Sequence, residues 1–562
     1  MSSTSPLSIP PEATLQSLRN ELNGSLVRGV GGFFAKYFEA KSWSAAVKKK
    51  MQETESAEIV NKLSADVLGL THFSALEEWL ATFHSLVCVG DQPGFRSQPI
   101  SKPGCPFKAT MYLETSGLQA VSGSTRVFGE YHHNDAPVMA EDDSDFLRFC
   151  ERAREVFETQ SARKFLHAFL VCGTTLELWV FDRSGAYSSD MLDLAQKPHL
   201  LMQTLANYTM MSDEEVGLNT FVKRLEPGSD SYVTFNQHDK LHLRPGIIAA
   251  KSYIIGLGTT CYAASESTTG EPNFVVKFSW RKDEAPAELR VLKRASERNV
   301  WGIIRLLGHQ DLGSIADLRH GLQFSQPFVN RTFSCVATTP LGRPIQKFAS
   351  IHELLEALCD LVKALRSLYL DGSIIHRDIA IKNVVITSRH SADSPKGLLI
   401  DFDQALDLDN VRAVEPTVGS DGFMAIGILS GKPHTYRHDL ESLLYVFLWL
   451  AIGNDPDHDD ALEILEGLPK TSRLWRWCSM DFRSVGQAKA ADMSPEGFTG
   501  LLGEFSADFA PLRGLAKELH ALIFPLRDGR IFTGTETEQP AVECLYSSMA
   551  DAFHRNALTL QK

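Results

Sequence analysis

The sequence predicts an α+β protein with two successive domains, an N-terminal α+β domain and a second domain that contains both helices and strands. Three observations lead to this class. The chain has 562 residues, more than one compact core usually holds. Helical apolar stripes alternate with short strand-like runs along its length. A polar stretch rich in turn residues, at about 223–244, lies between the two halves.

We expect four segments in chain order. These are a flexible polar tail at residues 1–14, an N-terminal α+β domain at 15–230, the second domain at 245–530 and a C-terminal helical extension at 531–562. The role of the N-terminal domain does not follow from its residues, because no phosphate loop or cluster of metal ligands stands out there.

Composition limits the partners of this chain. With 43% hydrophobic and 22% charged residues it is typical of a soluble globular protein. The formal net charge of −13 argues against nucleic acid or an anionic membrane as the main partner.

Nine cysteines without a CxxC spacing favour free thiols in a reducing compartment. The start lacks a signal-peptide pattern, and the longest strongly apolar run, 443–452, is too short to span a bilayer. We therefore expect an intracellular protein, cytoplasmic or nuclear.

Within the N-terminal domain, the apolar residues of 146–157 fall on one helical stripe. The strand-like runs that follow flank Gly173-Thr174, which predicts a hairpin. His132 and His133 are adjacent, and neighbouring residues on a strand point to opposite faces. We therefore interpret them as surface or loop histidines and not as joint metal ligands.

A long amphipathic helix is predicted at Ile351–Leu370, in the second domain. Ser350 and Glu353 form a capping-box pattern at its start, and Gly372 stands where a helix C′ residue is expected. The helix leads directly into the polar motif that carries the predicted chemistry.

That motif is His376-Arg377-Asp378, with Asn383 five residues after the aspartate. Phosphoryl transfer needs a carboxylate that orients the attacking hydroxyl and accepts its proton, and an amide oxygen that holds Mg²⁺ beside the phosphates. Asp378 and Asn383 supply this pair at the H-R-D-x-x-x-x-N spacing. Asp401 ends the apolar strand that follows, where a second Mg²⁺ ligand is expected.

Two further features precede this motif. Gly256 and Gly258 form a GxG turn of the kind that covers phosphates, and Lys277 lies inside an apolar strand 19 residues after the second glycine. A lysine inside such a strand needs partners. We expect nucleotide phosphates and the carboxylate of Glu288, on the next helix, to be those partners, with Glu284 as the second choice.

Taken together, these residues resemble the fungal-type protein kinase family over about residues 145–455. The likeness is carried by the H-R-D motif, the D-F-D at 401–403, the F-M-A at 423–425, the segment 434–442 and the turn at 183–186.

The resemblance implies a protein-kinase-like fold, with a small lobe made of a twisted sheet and one helix and a large, mainly helical lobe. ATP would lie between the lobes, Mg²⁺ would be required, and the partner would be a protein substrate. It also implies that Asp439 begins a buried helix and binds the backbone of the catalytic loop.

The sequence departs from common kinase patterns at several positions. Cys261 replaces a third glycine, Gly427 replaces the glutamate that usually anchors the activation segment, and Asp403 replaces a glycine that gives conformational freedom. The family shares the last change. Because position 380 is an alanine where many kinases have a lysine, we hypothesise that Lys382 supplies the positive charge.

The predicted function is an ATP-dependent protein kinase that phosphorylates a hydroxyl, with Ser/Thr favoured. Two alternatives stay open: a small-molecule kinase of the aminoglycoside or choline type, which the segment 400–403 also resembles, and a nucleotide-binding pseudokinase. Arg377 favours the protein kinase, because it is placed to meet a phosphate or carboxylate on the activation segment. Thr417 and Ser420 are the hydroxyls available for such a phosphate.

Overall fold

The architecture is that of a computed structural model of the chain. The structure describes residues 11–39, 41–52, 54–87, 93–100, 106–115, 125–133, 143–224, 231–235, 240–250, 253–282, 288–387, 393–410, 418–478 and 481–560. A helix of the length and apolarity needed to cross a bilayer does not occur within these ranges.

The α-helices are α1 (Pro11–Leu22), α2 (Phe33–Tyr37), α3 (Ser44–Gln52), α4 (Thr54–Asp66), α5 (Phe73–Val87), α6 (Ser144–Thr159), α7 (His199–Met210), α8 (Glu288–Glu297), α9 (Ile315–Arg319), α10 (Ile351–Leu370), α11 (Ile426–Leu429), α12 (Tyr436–Gly453), α13 (Ala461–Glu466), α14 (Phe482–Asp492), α15 (Pro495–Leu502), α16 (Arg513–Ile523) and α17 (Gln539–Leu560).

The strands are β1 (Leu26–Val27), β2 (Gly94–Pro99), β3 (Lys108–Glu114), β4 (Thr125–His132), β5 (Phe165–Cys172), β6 (Thr175–Asp182), β7 (Gly185–Ser188), β8 (Leu192–Asp193), β9 (Lys223–Arg224), β10 (Ser231–Thr234), β11 (Lys240–Leu243), β12 (Ala249–Ala250), β13 (Thr260–Ser265), β14 (Phe274–Lys282), β15 (Arg305–Ser314), β16 (Arg331–Thr339), β17 (Arg343–Pro344), β18 (Ile374–Ile375), β19 (Val384–Ile386), β20 (Gly397–Leu399), β21 (Leu406–Asp407), β22 (Leu526–Arg527) and β23 (Arg530–Ile531).

The chain divides into two compact units. The first comprises Met1–Gly270, Val276–Asp283 and Gln310–Cys335, and the second comprises Glu271–Val275, Glu284–His309 and Val336–Lys562. The boundary expected between residues 230 and 245 lies inside the first unit, and the separate domains inferred from the sequence stay a prediction.

A mixed sheet organises the first unit, with strand order β1-β7-β6-β5-β4-β3-β2 and β8 paired to β6. β4 and β5 are parallel and α6 connects them, whereas β5 and β6 form an antiparallel pair. Apolar clusters pack on both faces of this sheet, because successive strand residues point to opposite sides. One cluster contains Phe128, Leu166, Leu170 and Trp179, and the other contains Val127, Phe169, Val171 and Leu178.

Two local predictions for this region are confirmed and one is wrong. The predicted helix is α6, whose N-cap Asp143 accepts the backbone N–H of Asp145. The predicted hairpin turns at Gly173, whose φ of 55° suits glycine. His132 was expected at the surface, but it is buried in β4 and its ring is 2.8 Å from the carboxylate of Glu130. Because this face of the strand is covered by packing, the imidazole needs a polar partner there.

A second sheet has the strand order β15-β16-β14-β13-β11-β10-β9, with β12 paired to β13. A smaller sheet, β17-β19-β20, lies in the second unit. In it, β19 and β20 are antiparallel with Val384 opposite Leu399. This pairing brings the residues that follow the catalytic motif beside those that precede Asp401.

The core of the second unit is formed by α10, α12 and α17, whose apolar residues belong to one cluster. α12 is buried along nearly its whole length, as the sequence predicts. At the start of α10, Ser350 accepts the N–H of Glu353, but the Glu353 carboxylate accepts from Ala349, so the predicted capping box is only half formed.

The end of α10 differs from its predicted form. Gly372 lies at the expected C′ position and its N–H donates to the carbonyl of Ser367, but the left-handed residue is Ser373, with φ 52°. A Cβ at Gly372 would lie 2.5 Å from the carbonyl oxygen of Leu368. The glycine is therefore required here for close packing and not for a positive φ.

Candidate active site

The catalytic loop, residues 376–383, runs from β18 through a 3₁₀ turn at Ile381–Asn383 into β19. Its backbone is held by Asp439 near the start of α12. The two carboxylate oxygens of Asp439 accept the N–H groups of His376 at 2.8 Å and of Arg377 at 3.0 Å. The role that the resemblance implies for Asp439 is thus present in the geometry.

Asp439 is itself buried, with its Oδ1 atom 3.1 Å from the ring of His434. Burial alone would raise the pKa of this carboxyl. The hydrogen bond and charge of His434, together with His376, outweigh it and lower the pKa below its ordinary value. Asp439 therefore stays ionised, which suits an acceptor of two backbone N–H groups.

Asp378 is half-buried in this loop, and both of its carboxylate oxygens accept hydrogen bonds. The Nδ2 atom of Asn383 donates to Oδ2 at 2.8 Å and to the Asp378 carbonyl at 2.7 Å. The hydroxyl of Ser420 donates to Oδ1 at 2.6 Å. The orientation of the predicted base is therefore fixed by two neighbours from different parts of the chain. The sequence indicates Ser420 only as a hydroxyl that could be phosphorylated.

The two other predicted residues of the loop have different surroundings. Arg377 is buried, and its Nε donates to the carbonyl of Gln404 at 2.7 Å. Lys382 is half-buried in the 3₁₀ turn between two buried neighbours. Thr417 lies outside the described residues.

Asn383 and Asp401, the predicted Mg²⁺ ligands, are brought together by the β19–β20 pairing. The N–H of Ile400 donates to the carbonyl of Asn383 at 3.0 Å, immediately before Asp401. Asp401 has a left-handed backbone, with φ 61°. One carboxylate oxygen from each of Glu288, Asp401 and Asp403 lies within 4.8 Å of the others. This set of oxygen donors fits a hard divalent cation such as Mg²⁺.

Glu288 is held in this cluster by the fold of α8. Its carboxylate accepts the N–H of Phe402 at 3.3 Å, and only 4% of the residue is exposed. Farther along α8, Arg294 forms an ion pair of 2.7 Å with Asp407 of β21. The helix is therefore fixed to the chain that follows the D-F-D motif.

The predicted phosphate-binding residues belong to the first unit. Gly256 has φ 133° and Gly258 has φ 50°, backbone angles that favour glycine. Lys277 is half-buried on β14, between the buried Val276 and Phe278. Its pairing with Glu288 stays a prediction, and the alternative Glu284 lies outside the described residues.

Gly427 stands where a glutamate usually anchors the end of the activation segment, and close packing explains why this residue is a glycine. A Cβ at Gly427 would lie 2.4 Å from the ring of His438, so no larger residue fits there without a shift. The N–H of Ile426 instead donates to the buried carboxylate of Glu441 at 2.7 Å, and Glu441 pairs with Arg437.

Lys489 of α14 is a second anchor of the same segment. Its side chain is completely buried, and Nζ donates to the carbonyls of Gly422 at 2.8 Å and Met424 at 2.7 Å. The ammonium also lies 4.1 Å from the ring of Tyr445. Burial lowers the pKa of Lys489 to about 7. The sequence predicts no site in this helix, because a single lysine gives no pattern that reveals its partners.

A comparison with protein families agrees with this geometry. The family described as fungal protein kinase matches residues 124–451, more than half of the chain. The matched region contains the glycines, Lys277, the catalytic loop and the D-F-D motif. It begins one position before the first residue of β4. The chain therefore belongs to the fungal protein kinase family.

Proposed function

We propose that this chain is an ATP-dependent protein kinase that transfers the γ-phosphoryl group to a serine or threonine hydroxyl of a protein. The observation that carries the proposal is the Asp378 carboxylate, held by Asn383 on one oxygen and by Ser420 on the other. Each carboxylate oxygen has a second lone pair that can accept a substrate hydroxyl. A fixed base at this position is what in-line phosphoryl transfer requires.

In the proposed step, Asp378 orients the substrate hydroxyl and receives its proton as the hydroxyl oxygen bonds to the γ-phosphorus. The bond from that phosphorus to the β–γ bridging oxygen breaks, and ADP leaves with the electron pair. Lys277 would neutralise charge on the phosphates. Arg377 has a structural role, because its guanidinium donates a hydrogen bond to the backbone carbonyl of Gln404. The chain thus contributes position and charge and forms no covalent intermediate.

The metal requirement is assigned to the oxygen donors around the D-F-D motif. Asn383 and Asp401 would hold Mg²⁺, with Glu288 and Asp403 close enough to contribute further carboxylate oxygens. When bound, Mg²⁺ would neutralise the charge that develops on the β- and γ-phosphates. The proposed role of the four side chains is to orient the phosphates for transfer.

A preference for serine or threonine over tyrosine is supported by the short path between Asp378 and the activation segment. The hydroxyl of Ser420 bridges the two at 2.6 Å, so the segment backbone lies one short side chain from the base. A peptide docked along this segment would present a serine or threonine hydroxyl at that distance. A tyrosine hydroxyl, which is several ångströms farther from its backbone, would require the peptide to lie farther out.

The test compares wild type with Asp378→Asn for ATP binding and for Mg²⁺-dependent phosphate transfer to mixed protein substrates. We expect the variant to bind ATP with unchanged affinity and to lose about 10³-fold or more in turnover, because the base is removed while the fold is kept. Asp459→Asn, at an exposed aspartate of the second unit, is the matched control and should behave as wild type.

Two results would contradict the proposal. A wild type that binds ATP but transfers phosphate no faster than Asp378→Asn is a pseudokinase. A wild type that phosphorylates choline or an aminoglycoside, and no protein, belongs with the small-molecule kinases. Phosphoamino-acid analysis of the product separates serine and threonine from tyrosine.

A further inference from the structure

The β6–β7 turn, residues 182–185, contacts the glycine loop, which we define as residues 254–262. The N–H of Gly256 donates to the carbonyl of Arg183 at 3.1 Å. The Arg183 guanidinium donates to the carbonyl of Tyr253, the residue before the loop, and lies 3.5 Å from that of Ile254. One residue of the N-terminal sheet therefore binds the loop through both its backbone and its side chain.

Arg183 cannot move away from the loop. It is completely buried, and its Nη2 atom donates to the carbonyl of Ser161 at 3.0 Å. The guanidinium carbon lies 4.3 Å from the centre of the Phe157 ring. Burial lowers the pKa of Arg183 to about 10, so the group stays charged at neutral pH and its hydrogen bonds to carbonyls are charge-assisted.

The side chain of Arg183 leaves no space for a larger residue at Gly258. A Cβ at position 258 would lie 2.6 Å from the Nε atom of Arg183, well inside van der Waals contact. A free arginine could shift, but this one is held on its far side by Ser161 and Phe157. The second glycine of the loop is thus required by the approach of Arg183, in addition to its positive φ.

The turn that carries Arg183 is rigid. Asp182 forms a two-pronged ion pair with Arg319, with both distances 2.8 Å and both side chains buried. The hydroxyl of Ser184 donates to the carbonyl of Val329 at 2.5 Å. Charge pairs of this geometry are strong and directional when solvent is excluded. The turn therefore holds Arg183 in a fixed position.

The glycine loop has three further attachments in the same unit. The side chain of Ile254 is completely buried in the apolar cluster that contains Phe128 and Trp179. The N–H of Ile255 donates to the carboxylate of Glu21 in α1 at 2.8 Å. The carbonyl of Leu257 accepts the N–H of Trp280 at 2.7 Å, on the strand that carries Lys277.

We propose that Arg183 is a positioning residue for nucleotide binding, and that the N-terminal sheet sets ATP affinity through it. This inference rests on the proposed kinase function. Backbone N–H groups bind phosphates well only when their directions are fixed beforehand, because ordering a flexible loop on binding costs free energy. Arg183 supplies that order to the glycine loop before nucleotide arrives.

The test uses full-length Arg183→Met and measures Mg²⁺-ATP affinity by calorimetry, together with amide hydrogen exchange of the glycine loop without nucleotide. We expect affinity to fall about tenfold, since charge-assisted hydrogen bonds that order the loop are lost. We also expect faster exchange at Ile255 and Gly256, and a rise in KM for ATP with a smaller change in kcat.

Arg163→Met is the matched control. Arg163 is equally buried in the same unit and donates to the carbonyls of Phe165 and Thr125 and to Gln160, none of which belongs to the loop. This variant should lose stability while its ATP affinity and the exchange of the glycine loop stay those of wild type.

The outcomes separate this inference from the proposed function. A wild type that does not bind Mg²⁺-ATP overturns both. A wild type that binds, with Arg183→Met equal to it in affinity and loop exchange, overturns the inference alone. If Arg183→Met does not fold, Glu21→Ala removes the carboxylate that accepts the N–H of Ile255 and faces the charge of Arg183. This variant should weaken ATP binding in the same direction by a smaller factor. An unchanged affinity in that variant would also overturn the inference.

Discussion

Arg377 and Asp401 have left-handed backbones, with φ 67° and 61°, although neither is glycine. Each such residue costs about 1–2 kcal/mol relative to its relaxed conformation. The cost is offset at Arg377 by the bond of its N–H to Asp439, and next to Asp401 by the bond of Ile400 to Asn383. Asp403, which stands where many kinases have a glycine, is not in the left-handed region, so the conformational freedom of glycine is not required there.

Ser420 gives the first prediction. Ser420→Ala should lower kcat about tenfold, because the Oδ1 atom of Asp378 loses a hydrogen bond that fixes its orientation. Ser420→Thr, which keeps a hydroxyl, should stay near wild type. Steady-state kinetics with saturating ATP measure both.

An activating phosphate on Ser420 would give a different pattern. In that case Ser420→Asp would restore activity relative to Ser420→Ala. We expect Ser420→Asp to be the least active variant, because a second carboxylate would lie against Asp378 and repel it. Restored activity in Ser420→Asp would contradict the positioning role.

Lys382 gives the second prediction. Lys382→Ala should lower kcat by about 10²-fold with little change in KM for ATP, if its charge stabilises the transferred phosphoryl group. Lys517→Ala, at an exposed lysine of α16, is the control. Unchanged turnover in Lys382→Ala would remove this residue from the mechanism.

Asp378 and Asn383 of the catalytic loop could be predicted because residues that act together in this loop lie close together in the sequence. Asp378 and Asn383 are five positions apart, and one turn of 3₁₀ helix brings their side chains to 2.8 Å. Ser420 meets the same aspartate across 42 positions of chain. The sequence around Ser420 forms no motif with Asp378, so only the fold identifies the serine as a partner of the base.

Among the helices, α14 makes contacts that the sequence did not predict. α10 and α12 follow from their apolar patterns, one on a single stripe and the other on all sides. Lys489 breaks the apolar face of α14, and a lysine at such a position usually lies at the surface. Its burial is explained by contacts with distant residues, the carbonyls of Gly422 and Met424 and the ring of Tyr445.

Lys489→Met is the third prediction. At pH 9 it should lower the free energy of unfolding by about 2 kcal/mol, because the carbonyl of Met424 loses its donor in a buried site. The activation segment should also loosen, so KM for the protein substrate should rise while ATP affinity stays constant. Denaturant unfolding and steady-state kinetics measure these effects, and Lys517→Met is the exposed control.

The fourth prediction concerns how the free energy of unfolding depends on pH in wild type and in Lys489→Met. The pKa of Lys489 is about 7 in the folded protein, against an ordinary value of 10.5. Between these values the unfolded chain holds a proton that the folded chain lacks, so stability rises with pH. The neutral amine still has two N–H groups for its two carbonyls.

The nearby titratable groups are Glu441 of α12, Asp421 and the thiol of Cys478, whose pKa burial raises to about 12 so that it stays neutral. From pH 7 to pH 9 the free energy of unfolding of wild type should rise by roughly 1–2 kcal/mol relative to Lys489→Met. A constant difference between the two proteins over this range would show that Lys489 titrates normally.

In the whole molecule, the glycine loop cannot be separated from the N-terminal sheet. A chain that starts at residue 245, the predicted start of the bilobal domain, lacks Glu21, Arg183 and the apolar cluster that buries Ile254. We expect this fragment to aggregate or to remain partly unfolded, whereas the full chain gives a cooperative transition. A soluble fragment that binds Mg²⁺-ATP as tightly as the full chain would contradict this prediction.

The C-terminal helix α17 has a consequence for synthesis in the cell. It packs along α10, where the ring of His352 lies 3.0 Å from the carbonyl of Ala557 and Arg366 pairs with Glu543. A ribosome releases α10 long before it makes α17. The apolar face of α10 that α17 covers is therefore exposed to solvent in the nascent chain. We expect a chaperone to bind this face until α17 has been translated.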